Sequence, residues 1–418
     1  MARTCSKSGG AFALSFKGLP EASLQAGSAF LRGLLERHFQ RWPFSVVAEA
    51  QSRPLFRVEE KGRGFRLCSS EGRERFDTAA EMLCDLGIGL AEAFVARTPG
   101  LQCLHCSAVS FPAGGEEKLV VFPNVNRSGK SLLAACLKLE GARLFADDLL
   151  GVTEGGEGVS FGLPPRLRLP LPSSASRLAE VLGELPGLGD ARYHFLYAWD
   201  SIAPFSQELP IGAVVLPCRR AEGEGVRLRR LSVSSALQCM AYQFQMREGQ
   251  AGAVFELARR LCESLPLWML EYGSPEEASA LLMQEAGRLF TAAEEGEDAA
   301  EDVGFLTEED RLSSSMHGRR RRPFPSDRNL HWLRAPGMHI HEAGSFAYLI
   351  PKEQDSVFGV DGIGLAVVAL LSGPLSVSEA ARLLAEAYPQ TGLARLESDM
   401  TLFFRSLYER GLIVPVPR

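Results

Sequence analysis

The chain has 418 residues, of which 46% are hydrophobic, and 45 basic against 51 acidic side chains leave a net charge of −6. This length predicts two or three domains with an ample core, and the acidic balance does not favour nucleic acid as a partner. No apolar run is long enough to predict a membrane-spanning helix, and no signal peptide is apparent, so we expect no membrane partner. The nine scattered cysteines are typical of reduced thiols, so we expect a cytoplasmic protein.

Residues 1–100 carry alternating strand and helix patterns. Strands are predicted over 11–16 and 64–69, and amphipathic helices over 25–39 and 79–96. No chemical constellation stands out, so we interpret this region as the α+β scaffold of the larger unit that follows.

A strand predicted at 119–122 leads into a loop that ends in Ser-Gly-Lys-Ser, and a helix follows until Gly141. A second short strand, 143–146, is followed by two adjacent carboxylates, Asp147 and Asp148. This order of strand, loop, helix, strand and acid is typical of a phosphate-binding loop.

The residue types suit that chemistry. Backbone N–H groups at a helix N-terminus attract anions, Lys130 can reach the outer phosphates, and the Ser131 hydroxyl can bind Mg²⁺. A carboxylate on the neighbouring strand can hold that metal or accept a hydroxyl proton. The residues predicted to bind nucleotide are Asn124, Val125, Asn126, Arg127, Ser128, Gly129, Lys130, Ser131 and Leu132.

The loop departs from the full pattern, which has a glycine where this chain has Asn124. Asparagine tolerates positive φ better than other non-glycine residues, so Asn124 and Asn126 can still form the turn. Arg127 either covers the phosphates or faces water. The alternative is a surface loop with an incidental Gly-Lys-Ser sequence.

A strand over 101–110 carries His105, about twenty residues before the loop. Two interpretations stay open: a core histidine, or a residue that tunes one aspartate or touches a phosphate, with coupled protonation. Cys103 and Cys106 flank it, but no second cysteine or histidine cluster completes a tetrahedral zinc set. We therefore expect both cysteines to be buried as small hydrophobes.

A proline-rich extended stretch, 163–172, contains Arg166 and Arg168, whose alternation places them on one strand face. Two guanidinium groups beside a phosphate site suit a nucleotide or an acidic substrate. Arg192 is a weaker candidate of the same kind. Exposed charge without a role is the alternative for all three.

His105, the Gly-Lys-Ser loop, the Gly-Ala-Arg-Leu-Phe-Ala-Asp-Asp segment and the Arg-Leu-Arg stretch resemble the HPr kinase/phosphorylase-related kinases (the HprK-related kinase A type). That resemblance implies a phosphoenolpyruvate-carboxykinase-like fold, the use of ATP and Mg²⁺, phosphorylation of a serine on a peptide or protein, and a possible homo-oligomer. It also implies roles for the matching residues. Catalytic roles go to His105, Lys130, Asp147 and Asp148, and metal ligation goes to Ser131, Asp147 and Asp148.

The predicted kinase core spans 101–292, with a buried strand at 211–217 and helices at 235–245, 251–263 and 275–295. Residues 293–328, rich first in carboxylates and then in arginines, predict a flexible charged linker.

Residues 329–418 predict a separate small domain: strands at 337–342, 346–351 and 357–360, then helices at 362–371, 377–388 and 393–410. Ser376 with Glu379 forms a capping-box signal at the second helix. The third helix places Leu396, Met400, Phe403 and Leu407 on one face. This pattern is that of a winged helix-turn-helix domain, but its helices lack a basic face for DNA.

The same domain resembles the PqqD-like family of peptide-recognition elements over Phe-Gly-Val-Asp-Gly-Ile-Gly, Ser-Val-Ser-Glu-Ala-Ala and the end of the third helix, Glu-Arg-Gly-Leu-Ile. The resemblance implies capture of a leader peptide as an added strand at the sheet edge, against the third helix. The predicted leader-binding residues are Ser356, Val357, Phe358, Val360, Asp399 and Arg405.

Together these patterns predict an α/β protein that joins a P-loop kinase to a winged-helix peptide-binding domain. The predicted function is ATP-dependent phosphorylation of a serine, or another hydroxyl, on a ribosomally synthesised precursor peptide. One alternative is a nucleotide-binding peptide chaperone with weak catalysis; another is a DNA-binding regulator.

Overall fold

The computed structural model describes residues 12–21, 23–47, 53–70, 72–124, 128–184, 187–197, 202–245, 250–292, 324–325, 327–343, 346–351 and 357–416. These residues form several β-sheets and eleven α-helices, which confirms the mixed α/β class. Of the helices described, none combines the length and the apolar character that a membrane span requires. The P-loop kinase and winged-helix assignments stay predictions.

The chain divides into two compact units. The first comprises Met1–Leu231, Gln243–Gln245 and Leu261–Ala300, and the second comprises Ser232–Tyr242, Met246–Arg260 and Glu301–Arg418. The four-part domain division predicted above stays a prediction.

The N-terminal part of the first unit is a six-stranded sheet with two helices, ordered β3-β1-β2-β4-β5-β6. Its elements are β1 (Phe12–Phe16), β2 (Leu24–Ala26), α1 (Ala29–His38), β3 (Phe44–Val47), β4 (Phe56–Lys61), β5 (Gly64–Cys68), β6 (Arg73–Phe76) and α2 (Ala79–Val95). Ser28 and Thr78 cap the two helices by accepting a backbone hydrogen bond. The predicted helix at 25–39 starts too early, because Leu24–Ala26 pairs with β1 as a strand.

Between residues 101 and 289, three short strands, Arg166–Arg168, Leu188–Gly189 and Tyr193–Phe195, form a sheet of their own, and the other strands form one large ten-stranded sheet. The following elements cover this stretch of the chain. They are β7 (Leu101–Leu104), β8 (Cys106–Ala113), β9 (Glu116–Pro123), α3 (Lys130–Leu139), β10 (Arg143–Ala146), β11 (Leu150–Thr153), β12 (Glu157–Val159), β13 (Arg166–Arg168), α4 (Ser176–Glu184), β14 (Leu188–Gly189), β15 (Tyr193–Phe195), β16 (Glu208–Arg219), β17 (Arg227–Arg230), α5 (Val233–Gln243), β18 (Phe244–Gln245), α6 (Ala251–Ser264), β19 (Leu267–Tyr272), α7 (Pro275–Gln284) and α8 (Ala286–Leu289).

Strand β16 is the centre of this sheet. It pairs in parallel with β9 and β19, and its first residues pair antiparallel with β12. Its apolar run is buried over most of its length, as a parallel central strand requires. Helix α3 packs the side chains of Leu133 and Leu137 into the same core as Val120 and Phe122 of β9. The strand and helix therefore hold the intervening loop between two rigid elements.

The C-terminal part of the second unit contains two three-stranded sheets, β24-β20-β25 and β21-β22-β23. Its elements are β20 (His331–Arg334), β21 (His339–Ala343), β22 (Phe346–Ile350), β23 (Phe358–Asp361), α9 (Gly362–Leu370), β24 (Leu375–Ser376), α10 (Val377–Ala387), α11 (Leu393–Glu409) and β25 (Ile413–Pro415). The predicted strands and helices agree with these bounds to within a few residues, and the capping box at Ser376 is present.

The third helix buries Phe404 in addition to the predicted face. Phe404, which is fully buried, joins Leu396, Met400 and Leu407 in the core, whereas Phe403 is only partly buried beside it. Both phenylalanines fall on the same broad face of an ideal helix, so helical spacing alone does not decide which of them is fully buried.

Candidate functional site

The loop after β9 ends at the N-terminus of α3. Gly129 is the N-cap residue with φ of 91°, a left-handed conformation that glycine adopts without steric cost. The hydroxyl of Tyr272 donates a hydrogen bond to the Ser128 carbonyl at 3.2 Å. The last turn of the loop is therefore fastened from β19, a strand distant in sequence.

The start of the loop is also fastened. The Asn124 side-chain amide donates to the Pro217 carbonyl at 2.6 Å, and the Lys130 ammonium donates to the Asn124 carbonyl at 2.6 Å. Asn124 and Lys130 are both buried. Of the other residues predicted to bind nucleotide, Val125, Asn126 and Arg127 lie outside the described residues. Leu132 packs its side chain into the core, so only its backbone can contact a ligand at the loop.

Asp147 is a buried carboxylate in direct contact with the start of α3. The Ser107 hydroxyl donates to its Oδ1 at 2.6 Å, the Arg166 backbone N–H donates to its Oδ2 at 3.0 Å, and the Ser131 side chain also hydrogen-bonds to it. Burial and the neighbouring charge of Asp148 raise the pKa of Asp147, against the opposing effect of these hydrogen bonds.

Asp148 lies in a different environment. Its Oδ2 accepts a hydrogen bond from Arg166 at 2.6 Å, and its Oδ1 lies 3.3 Å from His105 Nε2. Burial alone would raise the pKa of Asp148, but the hydrogen bond from His105 and the charges of Arg166, His105 and Lys130 lower it to about 2. Asp148 is therefore an anion at neutral pH, and its side chain remains 28% exposed.

Arg166 is the residue that joins the two aspartates. Besides its contacts to both, its guanidinium donates to the Cys84 sulfur at 2.8 Å and lies 4.8 Å from the centre of the Tyr193 ring. Burial raises the pKa of the Cys84 thiol to about 11 despite the nearby Arg166 charge, so the thiol is neutral. Arg166 thus has a structural anchor on one side and the carboxylates on the other.

The other two predicted arginines reach the same ring but not the aspartates. The guanidinium groups of Arg168 and Arg192 lie 5.8 and 5.2 Å from the centre of the Tyr193 ring. Arg192 also forms an ion pair of 2.8 Å with Glu81 and is largely exposed. A substrate role for Arg168 and Arg192 stays a prediction.

The residues at this helix end suit a bound phosphate. Within the described ranges, the buried Ser128 hydroxyl has no hydrogen-bond partner, and such groups are rare unless a ligand or water completes them. Ser131 and Asp147 bring one hydroxyl and one carboxylate together, and both are oxygen ligands of the kind that Mg²⁺ takes. No group of three or more His, Cys, Asp or Glu side chains in the described part of the chain can hold a metal. A metal-binding role for Ser131 and the two aspartates stays a prediction.

A small cavity of about 30 Å³ lies behind the aspartates, lined by both of them together with Arg166, Cys84 and His38. Such a volume holds about two water molecules, so it cannot accept a nucleotide. Burial lowers the pKa of His38 to about 3. The cavity is therefore walled by a neutral imidazole on one side and carboxylates on the other.

The predicted peptide edge is strand β23, the last strand of its sheet among the described residues. Val357 and Val360 are buried, and Phe358 is half-buried with the Arg410 guanidinium 4.6 Å from the centre of its ring. The Arg410 end of α11 is thereby placed beside β23.

Helical spacing places Asp399 on the same side of α11 as Arg410, because eleven residues complete about three turns. Arg405 lies on another side, with its guanidinium 5.8 Å from the Phe324 ring. Ser356 lies outside the described residues. The structure therefore brings Asp399, but not Arg405, to the side of α11 that carries Arg410; a peptide-binding role for each stays a prediction.

Sequence reasoning missed Ser107, Cys84 and Tyr272. Ser107 follows His105 by two residues, so strand alternation could have found it. Cys84 lies on α2 and Tyr272 ends β19, and no local pattern connects either residue to the loop or the aspartates.

Residues 347–413 match the family model described as Coenzyme PQQ synthesis protein D (PqqD), which confirms the predicted resemblance of the C-terminal region. No curated protein matches the chain. The kinase resemblance of the preceding region stays a prediction.

Proposed function

We propose that this chain binds a ribosomally synthesised precursor peptide through its PqqD-like region and phosphorylates a hydroxyl of that peptide with ATP. The observation that carries the catalytic part is one cluster in the first unit. There, Ser131 meets Asp147 at the start of α3, while His105 and Arg166 hold the adjacent Asp148. The family match over 347–413 supports the peptide-binding part.

Mg-ATP would supply the phosphoryl group and a cation that neutralises its charge. Lys130 and the α3 N-terminus would bind the phosphates, and Ser131 with Asp147 would face the cation. Asp148 is the more exposed carboxylate and stays ionised, so it would orient the acceptor hydroxyl. His105 and Arg166 would fix the direction of the Asp148 carboxylate.

The peptide would add a strand beside β23, whose outer edge offers backbone hydrogen bonds. Side chains of the peptide would meet the partly buried Phe403 and the largely exposed Leu402 of α11. In this binding mode the backbone hydrogen bonds supply affinity, and the contacts of alternate side chains supply specificity.

The first test uses the full chain. Binding of Mg-ATP is measured by calorimetry, and peptides encoded by short reading frames beside the gene are incubated with Mg-ATP and examined by mass spectrometry. We expect addition of one phosphate, about 80 Da, to one peptide, lost in Lys130→Met and Asp148→Asn. Lys138→Met, a change at the other end of α3, is the matched control and should retain transfer.

Absence of Mg-ATP binding at millimolar concentration, by protein that melts cooperatively, would refute the catalytic part. Binding of a peptide without phosphate transfer would leave the peptide-binding part alone. The alternative of a peptide chaperone predicts that result, with Mg-ATP bound but not consumed.

A further inference from the structure

Among the described residues, strand β23 pairs with β22 on one side only, and a side chain from outside the PqqD match contacts its other edge. The Gly359 backbone N–H donates a hydrogen bond to the Tyr242 hydroxyl at 3.3 Å. Gly359 lies opposite Tyr348 of β22. A strand N–H points either to the paired strand or away from it, so this one faces the edge opposite β22.

Glycine at position 359 allows this approach. A Cβ there would lie 3.2 Å from the Tyr242 hydroxyl, which is tighter than an ordinary van der Waals contact. Nearby, the Phe255 ring of α6 packs 4.9 Å from the Tyr348 ring and 5.2 Å from the His341 ring. The second unit thus includes α5 and α6 side chains that contact the β21-β22-β23 sheet.

We infer that Tyr242 occupies the peptide-binding edge in the peptide-free protein and that an added peptide strand must displace its hydroxyl from Gly359. The Tyr242 hydroxyl and the peptide therefore compete for the same backbone amide, that of Gly359. This inference rests on the proposed function for the identity of the peptide, but it needs no ATP chemistry.

The first test is amide hydrogen exchange in the full chain, measured by mass spectrometry over β23. Tyr242→Phe removes only the hydroxyl, so the Gly359 amide should exchange about three- to tenfold faster, as expected for loss of one hydrogen bond. Tyr388→Phe, at an exposed tyrosine of the second unit, is the matched control and should leave this exchange unchanged. Equal exchange in wild type and Tyr242→Phe would overturn the inference.

The second test uses a 20-residue peptide selected by display on the immobilised full chain, and chosen because it protects the Gly359 amide. It should bind Tyr242→Phe about three- to tenfold tighter than wild type, since no hydroxyl has to be displaced. Unchanged affinity would overturn the competition.

These readouts separate the inference from the proposed function. In a chain that binds peptide but never transfers phosphate, the predictions for Gly359 exchange and for peptide affinity can still be confirmed or refuted. Conversely, phosphate transfer with an unaffected Gly359 amide in Tyr242→Phe would support the kinase and reject the role of Tyr242.

Discussion

Replacement of Gly129 by alanine tests how the end of the loop between β9 and α3 is held. The residue has φ of 91°, and moving an L-residue into this region costs about 1–2 kcal/mol. The new Cβ would also overlap the Tyr272 hydroxyl. Tyr272 is fully buried and cannot swing away, so the overlap adds about 1–3 kcal/mol, as for other overpacked sites. Gly129→Ala should therefore lower the free energy of unfolding by about 2–5 kcal/mol.

The contribution of the overlap can be isolated with Tyr272→Phe. Alone, this change removes the hydrogen bond to the Ser128 carbonyl and should cost about 0.5–1.5 kcal/mol. In Gly129→Ala it also removes the overlapping oxygen. The double variant should then be more stable than the sum of the single effects predicts, by about 1–3 kcal/mol.

The assay is urea unfolding followed by circular dichroism for the wild type and the three variants. Gly141→Ala is the matched control, because Gly141 has φ of 100° but a Cβ there would meet nothing within 4 Å. It should show the backbone cost alone and no coupling to Tyr272. Additive effects of Gly129→Ala and Tyr272→Phe, within about 0.5 kcal/mol, would refute the steric reasoning.

Three further predictions concern stability. Ser107→Ala removes the hydroxyl that donates to Asp147 and should lower the free energy of unfolding by about 1.5–3 kcal/mol. The control, Ser110→Ala on the same strand, removes a buried hydroxyl without a partner among the described residues and should be nearly neutral. Similar unfolding midpoints for the two variants would contradict this prediction. Burial lowers the pKa of His38 from 6.5 to about 3, so its contribution to stability is present above pH 6.5 and is lost as the pH falls towards 3. Between pH 7.5 and 5 the free energy of unfolding should drop by about 2 kcal/mol more in wild type than in His38→Gln. Parallel plots of unfolding free energy against pH for the two proteins would count against this prediction. Ser376→Ala removes the capping box of α10 and should lower the free energy of unfolding by about 0.5–2 kcal/mol. The change should appear as a lower melting temperature and as faster amide hydrogen exchange in the first turn of α10. Unchanged amide exchange there would disprove the capping role.

Much of the local structure could be predicted because its causes are local. The strand at 143–146 was predicted with its observed bounds, since a short apolar run between Gly141 and two aspartates is typical of a buried strand. The C-terminal helices follow from capping and termination signals near their ends. Where a local signal was weak the prediction failed, as at Leu24–Ala26, which pairs with β1 instead of starting a helix.

The candidate site was predicted only in part. The order of loop, Lys130 and paired aspartates is visible in the sequence, because the helix N-terminus and the neighbouring strand bring such residues together in a βα unit. The sequence did not show which of Asp147 and Asp148 would be the base and which the metal ligand. Their difference depends on Ser107, Arg166 and His105, which approach from other strands.

The amino-acid sequence by itself determined most of the helices and strands and the position of the loop before α3, because capping, periodicity and turn chemistry act over a few residues. Only the tertiary structure decided that Arg166 holds Asp148, that Tyr272 fastens the loop and that Tyr242 contacts the β23 edge. These contacts join residues that are distant in the chain, and their energies depend on burial and distance that no local pattern contains.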